Sequence, residues 1–180
     1  MANDVITLLE QQHQEIRRLF GEVERAQGDQ RKDAFRELVR LLSVHETAEE
    51  ELVHPEVRRA EGGEPVVDAR VGEEHRAKEL LSTLDGLDPD AEGFDTLLVQ
   101  LRDDVLAHAE HEEREEFPLL RRATEQKRLE AMADMVKAAE AVAPTHPHPG
   151  VESAAANVLA GPPAAVMDRA RDAIRKVLGR

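Results

Sequence analysis

The chain has 180 residues, enough for one domain with a buried core, and a net charge of −14. It contains no Cys, Trp or Tyr, which excludes disulfides, thiolate zinc sites, iron–sulfur clusters and phenolate or tyrosyl-radical chemistry. The acidic balance argues against a nucleic-acid partner. The N-terminus has no basic leader and no apolar run reaches membrane length, so a cytoplasmic protein without membrane contact is expected.

Ala, Leu, Glu and Arg dominate the composition and favour helices over strands. The first helix is expected to start at Asn3 or Asp4, both good N-caps, and to run to about Ala26. Its stripe of Leu9, His13, Ile16, Phe20 and Val23 follows the helical period, with His13 inside the buried face. A second helix over residues 30–60 carries Leu38, Leu42, His45, Glu49 and Leu52 on one face. A third, over 65–86, is less regular: Val67 and Val71 lead to His75, but Lys78 follows where an apolar residue would fit. Gly62-Gly63 and Asp88-Pro89 mark the loops on either side of it.

The fourth helix, over 91–123, carries Leu98, Leu101, Val105, His108 and Glu112, then Glu115 or Glu116, and Leu119. Pro55 and Pro118 are expected to kink or end the second and fourth helices. A fifth helix spans about 125–142, and a last amphipathic helix runs from Pro163 to Leu178 with Val166, Ala170, Ile174 and Val177 on one face. Between them, Pro144 to Gly150 reads as an extended linker. The expected organisation is a bundle with its fifth helix over residues 1–142, then a Pro-rich linker and amphipathic helix over 143–180.

One segment occurs twice. His45 to Pro55 returns 63 positions later as His108 to Pro118, both copies reading His-x3-Glu-Glu-x4-Pro. A His-x3-Glu pair stacks imidazole and carboxylate one turn apart on a single helix face. Each copy has a further histidine upstream, His13 and His75. The resulting set of His13, His45, Glu49, His75, His108 and Glu112 is the ligand inventory of a two-metal site inside a helix bundle, and its residue types suit iron, manganese or zinc. Glu46 is an additional candidate carboxylate. His54 lies nine residues past His45, on nearly the opposite face of an unbroken helix, and is read as peripheral. His111, 60° from His108, and His146 and His148 in the Pro-rich stretch are also set aside. Glu115, Glu116, Arg121 and Arg122 read as a solvated helix face.

The order His, His-x3-Glu, His, His-x3-Glu on four successive helices resembles the hemerythrin-like proteins, the HHE cation-binding domain family, over about residues 4–123. The resemblance implies an all-α, up-down-up-down four-helix bundle holding a non-haem, oxo- or hydroxo-bridged pair of iron ions, with manganese or zinc as lesser alternatives. By position, His13, His45, His75 and His108 would be terminal ligands and Glu49 and Glu112 would bridge. Oxygen-carrying relatives place an extra histidine one turn before the third-helix ligand, where this chain has Val71 or Gly72. Glu46 would fill that gap, and reversible oxygen transport is replaced by reactivity as the expectation. The implied function is binding of or reaction with O2, NO or peroxide, including catalase-like disproportionation, in oxidative or nitrosative stress. The alternative is an iron or oxygen sensor, or an iron-handling module, read out by a partner. A homodimer through the C-terminal helix is a further expectation.

Overall fold

The computed structural model describes residues 4–142 and 163–179, and these are helical throughout apart from short connections. The helices are α1 (Val5–Arg25), α2 (Gly28–Ala48), α3 (His54–Arg58), α4 (Gly63–Asp85), α5 (Phe94–His111), α6 (Phe117–Ala123), α7 (Gln126–Val142) and α8 (Pro163–Leu178). Single π-helical turns, Glu49–Val53 and Glu112–Glu116, join α2 to α3 and α5 to α6, so each duplicated segment forms one continuous rod.

Local chemistry sets the helix ends. The Asp4 carboxylate caps α1 by accepting from the Thr7 amide at 3.0 Å. The turn into α4 needs two glycines for different reasons. Gly62 adopts the left-handed conformation at φ 76°, and a Cβ on Gly63 would stand 1.8 Å from the Val57 carbonyl oxygen.

The π turns account for the two prolines. Pro55 and Pro118 were expected to kink or end their helices, yet both rods continue through them. Proline donates no backbone hydrogen bond and its ring crowds the carbonyl four residues back. Here the residue before each proline bonds five residues back instead: His54 N–H to Glu49 O and Phe117 N–H to Glu112 O. Each π turn inserts one residue and rotates all that follows by about 100° relative to an unbroken α-helix.

Two apolar cores occupy the ends of the bundle. One gathers Ile16, Phe20 and Val23 of α1, Phe35, Leu38 and Leu42 of α2, Ala77, Leu81 and Leu84 of α4, and Phe94, Leu98, Leu101 and Val105 of α5. The other gathers Val5 and Leu9 of α1, Val44 to Val57 along the second rod, Val67 of α4 and Phe117 and Leu120 of the fourth, closed by α7 and α8. The four long rods enter these cores in alternating order, which is the up-down-up-down arrangement. Val166, Ala170 and Ile174 of α8 are buried in the second core, so its apolar stripe docks on its own chain against α2 and α7. His146, His148 and the Pro-rich stretch lie outside the described residues.

The third rod differs from its expected register. Val67, Arg70, Glu74, Ala77, Leu81 and Leu84 form its buried stripe, at steps of 3, 4, 3, 4 and 3. Val71 is 41% exposed, and the His75 side chain is 75% exposed beside Glu79. The expectation that Val71 and His75 face the interior is therefore not met. The stripe is governed by Ala77, Leu81 and Leu84, which pack against α5, and counting back from them reaches Glu74.

Candidate metal centre

Between the two apolar cores lies a polar layer one turn thick. His13 comes from α1, His45 from α2, His108 from α5, Glu49 and Glu112 from the first residue of each π turn, and Glu74 from α4. All six are at most 8% exposed. Burying so many ionisable groups is costly unless they are paired or hold cations.

The six fall into two groups of potential ligands, His13, His45, Glu49 and Glu112, and then Glu49, Glu74 and His108, each with its ligand atoms within 4.8 Å of one another. Both His-x3-Glu carboxylates turn one oxygen to each group. Glu112 places Oε2 3.2 Å from His13 Nε2 and Oε1 3.4 Å from His108 Nε2. Glu49 places Oε1 3.1 Å from His45 Nε2 and Oε2 3.9 Å from His108 Nε2. Glu49 and Glu112 are thus the residues that would serve both groups if each held a metal ion.

The outer faces of the rings are committed elsewhere. His13 Nδ1 meets Glu113 at 2.8 Å, His45 Nδ1 meets Gln12 Oε1 at 2.7 Å, and His108 Nδ1 meets Glu73 at 3.0 Å. Gln12 in turn donates to Glu140 of α7. With Nδ1–H donated outward, the inner Nε2 atoms carry lone pairs, a common way to orient metal-binding histidines. The Nε2 atoms of His13 and His45 then face one another at 3.2 Å. Two lone pairs at that separation need a cation or a proton between them. Both oxygens of Glu49 and of Glu112, and His108 Nε2, have no hydrogen-bond partner. The donor set and its orphaned atoms fit divalent metal ions.

The charges reinforce one another. Burial opposes ionisation of Glu49, but His45 and His108 overcome it and hold its carboxyl well below the usual range. Burial likewise opposes charge on His13 and His108, yet Glu112 and its neighbours raise both above the ordinary histidine value. Burial pushes Glu46 up to about 7, against the pull of Lys78 3.5 Å away. Glu74 is pushed up to about 9 by burial and by the Glu49 charge.

The geometry thus brings together His13, His45, Glu49, His108 and Glu112, and it leaves His75 outside. Glu74 takes the place expected of His75. The signal for it was present in the sequence as the spacing from Leu81 and Leu84. Glu46 lines a small cavity beside the centre but belongs to neither ligand group. His54, read above as peripheral, is 4% exposed, and Glu116, offered above both for the buried stripe and for a solvated face, is 0% exposed. The π turn rotates His54 inward, and no period count over an unbroken helix reveals that. In the second copy Phe117 takes the equivalent position and stacks on His13 at 5.8 Å between ring centres. His111 shares Glu73 with His108 and remains at the surface.

A four-helix bundle with a buried His/Glu layer suited to metal ions defines the class of protein. The family model of the Hemerythrin HHE cation binding domain matches residues 4–120, and the chain belongs to that family. It is similar to the crystal structure of a hemerythrin HHE cation binding domain-containing protein from Mycobacterium kansasii, with a TM-score of 0.67 and 20% identity over 77% of this chain and 85% of that one. It is also 30% identical over 129 residues to a protein of Nostoc sp. (strain PCC 7120 / SAG 25.82 / UTEX 2576) described as a DNA nickase. The match covers 71% of this chain and 36% of that relative, so the chain spans about a third of that protein's length.

Proposed function

We propose that the centre holds two iron ions and that the protein binds and turns over O2, NO or peroxide, with peroxide disproportionation as its catalytic form. The supporting observation is a small cavity of about 20 Å3 beside the ligands. Its lining includes His13, His45, Glu46, Glu74 and His108 together with Ile16, Leu42, Ala77 and Val105. That space accommodates a ligand of about two heavy atoms, and its walls are mainly apolar. A pair of irons supplies two electrons together and open positions for a small oxidant.

The chain's own residues supply the rest. The apolar wall excludes bulk water and larger ligands. Glu46, at the cavity edge with a pKa near 7, holds a proton at neutral pH that a reduced oxidant needs. Lys78, part-exposed and in contact with Glu46, Glu50 and Glu74, connects that carboxyl to the surface. The DNA-nicking activity named for the Nostoc relative is not carried over: the match covers about a third of that protein, and a chain of net charge −14 repels phosphates.

The test fills the cavity. Iron-loaded wild type is expected to develop or lose absorption at roughly 300–400 nm on exposure to O2, NO or hydrogen peroxide. Ala77→Phe is expected to retain its iron and react at least ~10-fold more slowly. Iron-loaded wild type inert to all three would end the proposal.

A second reading, an iron or oxygen sensor, is favoured by one contact. Arg171 of α8 pairs with Glu50 and Glu51, and Arg175 with Glu51, the two residues that follow Glu49 in the π turn. Metal held by Glu49 would then bear on how α8 docks. Under this reading, amide hydrogen exchange in Pro163–Leu178 slows on iron loading; equal exchange in both states argues for chemistry alone.

A further inference from the structure

We propose that Glu140 of α7 is a positioning residue for the His/Glu centre. Acting through Gln12, it fixes the proton of His45 on Nδ1 and so keeps Nε2 open to an ion. The contacts cross three helices. His45 Nδ1 of α2 lies 2.7 Å from Gln12 Oε1 of α1, and Gln12 Nε2 lies 2.5 Å from Glu140 Oε1 of α7. Gln12 and His45 are 4% and 3% exposed, so little water competes for either end of the amide.

His13, His45 and His108 differ in what holds their outer nitrogens. His13 and His108 meet carboxylates, Glu113 and Glu73. A carboxylate only accepts, so each of those rings puts its proton on Nδ1 and keeps the Nε2 lone pair. His45 meets an amide, whose two ends have nearly the same shape and opposite roles. With the oxygen inward, Nδ1 carries the proton and Nε2 can bind an ion. With the nitrogen inward, the amide donates to Nδ1, the proton sits on Nε2, and that ligand is lost. Glu140 selects between the two, because its carboxylate accepts and draws the NH2 end outward.

Residue 140 lies beyond the span of 4–120 that the family model matches, so the role belongs to the added helix α7. That helix is placed by packing independent of the contact: Leu129, Met132, Val136 and Ala139 are buried in the second core. Glu140 follows Ala139 at the edge of that face, partly buried, and its side chain can change without moving the helix. The inference rests on the two-ion reading, in which His45 is a ligand, and not on which oxidant the centre meets.

Zn2+ binding to the metal-free full chain, measured by competition with a chromophoric chelator, tests this together with the NMR signal of the His45 Nδ1 proton. Wild type is expected to bind two Zn2+ and to show that proton protected from exchange. Glu140→Lys puts a donor where the acceptor stood and turns the Gln12 amide over. It is expected to bind one ion at least ~10-fold more weakly and to lose the proton signal to solvent, with its metal-free Tm unchanged. Adding Gln12→Glu supplies an acceptor to both His45 and the introduced ammonium, so the double variant is expected to recover affinity and signal. Wild-type affinity in Glu140→Lys, or a loss that Gln12→Glu does not repair, would overturn the positioning role. A wild type that binds no Zn2+ would overturn that role and the two-ion reading together.

Discussion

Glu49→Ala is expected to hold at most one of the two ions of the centre and to lose most of the thermal stabilisation that metal confers. Glu49 is the one residue common to both ligand groups, with an oxygen toward each. Its removal therefore weakens both positions, whereas loss of His13 or His108 weakens one. A ligand present at about a thousand times its Kd stabilises the folded state by about 4 kcal/mol. For a domain of this size that corresponds to roughly 10 °C in Tm, nearly all of it absent from the variant.

Without metal the variant is also destabilised, for a different reason. Glu49 is then paired with His45 at 3.1 Å and faces His108 at 3.9 Å, so metal-free Glu49→Ala is expected to melt below metal-free wild type. The fall in bound metal, with the lost response of Tm to added metal, separates a ligand from a packing residue, whose loss leaves both unchanged. His75→Ala serves as the control, with unchanged metal content and Tm, because its side chain is largely exposed. Unaltered metal content in Glu49→Ala would sink the assignment.

The metal-free protein is expected to lose stability as pH rises from about 5 to about 9, with Tm falling by about 10 °C. The sign follows from which state binds more protons. Burial, with the charge of neighbouring carboxylates, raises Glu74 and Glu116 to about 9, against 4.5 when unfolded. Between those values the folded chain holds the extra protons, so stability declines with pH. Glu46, raised to about 7 chiefly by burial, acts in the same direction over a narrower window.

His13 and His108, raised above 6.5 by Glu112 against the effect of burial, contribute stability below 6.5 that is lost as pH climbs through their folded values. His54 opposes them, since burial lowers it and its contribution grows as pH rises through 6.5. Glu49 acts outside this window, its stabilisation being lost only as pH falls below 4.5. One pKa unit corresponds to about 1.4 kcal/mol, so realising a third of the Glu74 and Glu116 shifts gives about 4 kcal/mol. Metal requires the same groups deprotonated, so its stabilisation grows over the same range. Thermal unfolding in chelator and in Mn2+, at half-unit steps of pH, checks both slopes. A metal-free Tm that climbs from pH 5 to 9 contradicts the account.

Helix number, order and most of the ligand layer were legible in the sequence because they rest on short-range periodicity. A step of three or four residues decides which face of a helix is apolar, and His13, His45, Glu49, His108 and Glu112 all sit on regular stripes. The third rod was legible only in part. Val67 leads equally well to Val71 or to Arg70, and the choice depends on Ala77, Leu81 and Leu84 meeting α5 in the core. That contact exchanges His75 for Glu74.

The sequence by itself thus determined a duplicated helical chain whose His-x3-Glu pairs must share an interior layer, because burial patterns repeat with the helix. Tertiary structure alone decided the rotation each rod takes in the turn ahead of Pro55 and Pro118. A proline constrains the turn before it without stating whether the helix stops, bends or takes in a residue. Here two rods packed on both sides of the break, so each took the π turn and kept its length. That choice carried His54 from an expected surface into the interior, beside the repeated pairs that first marked the centre.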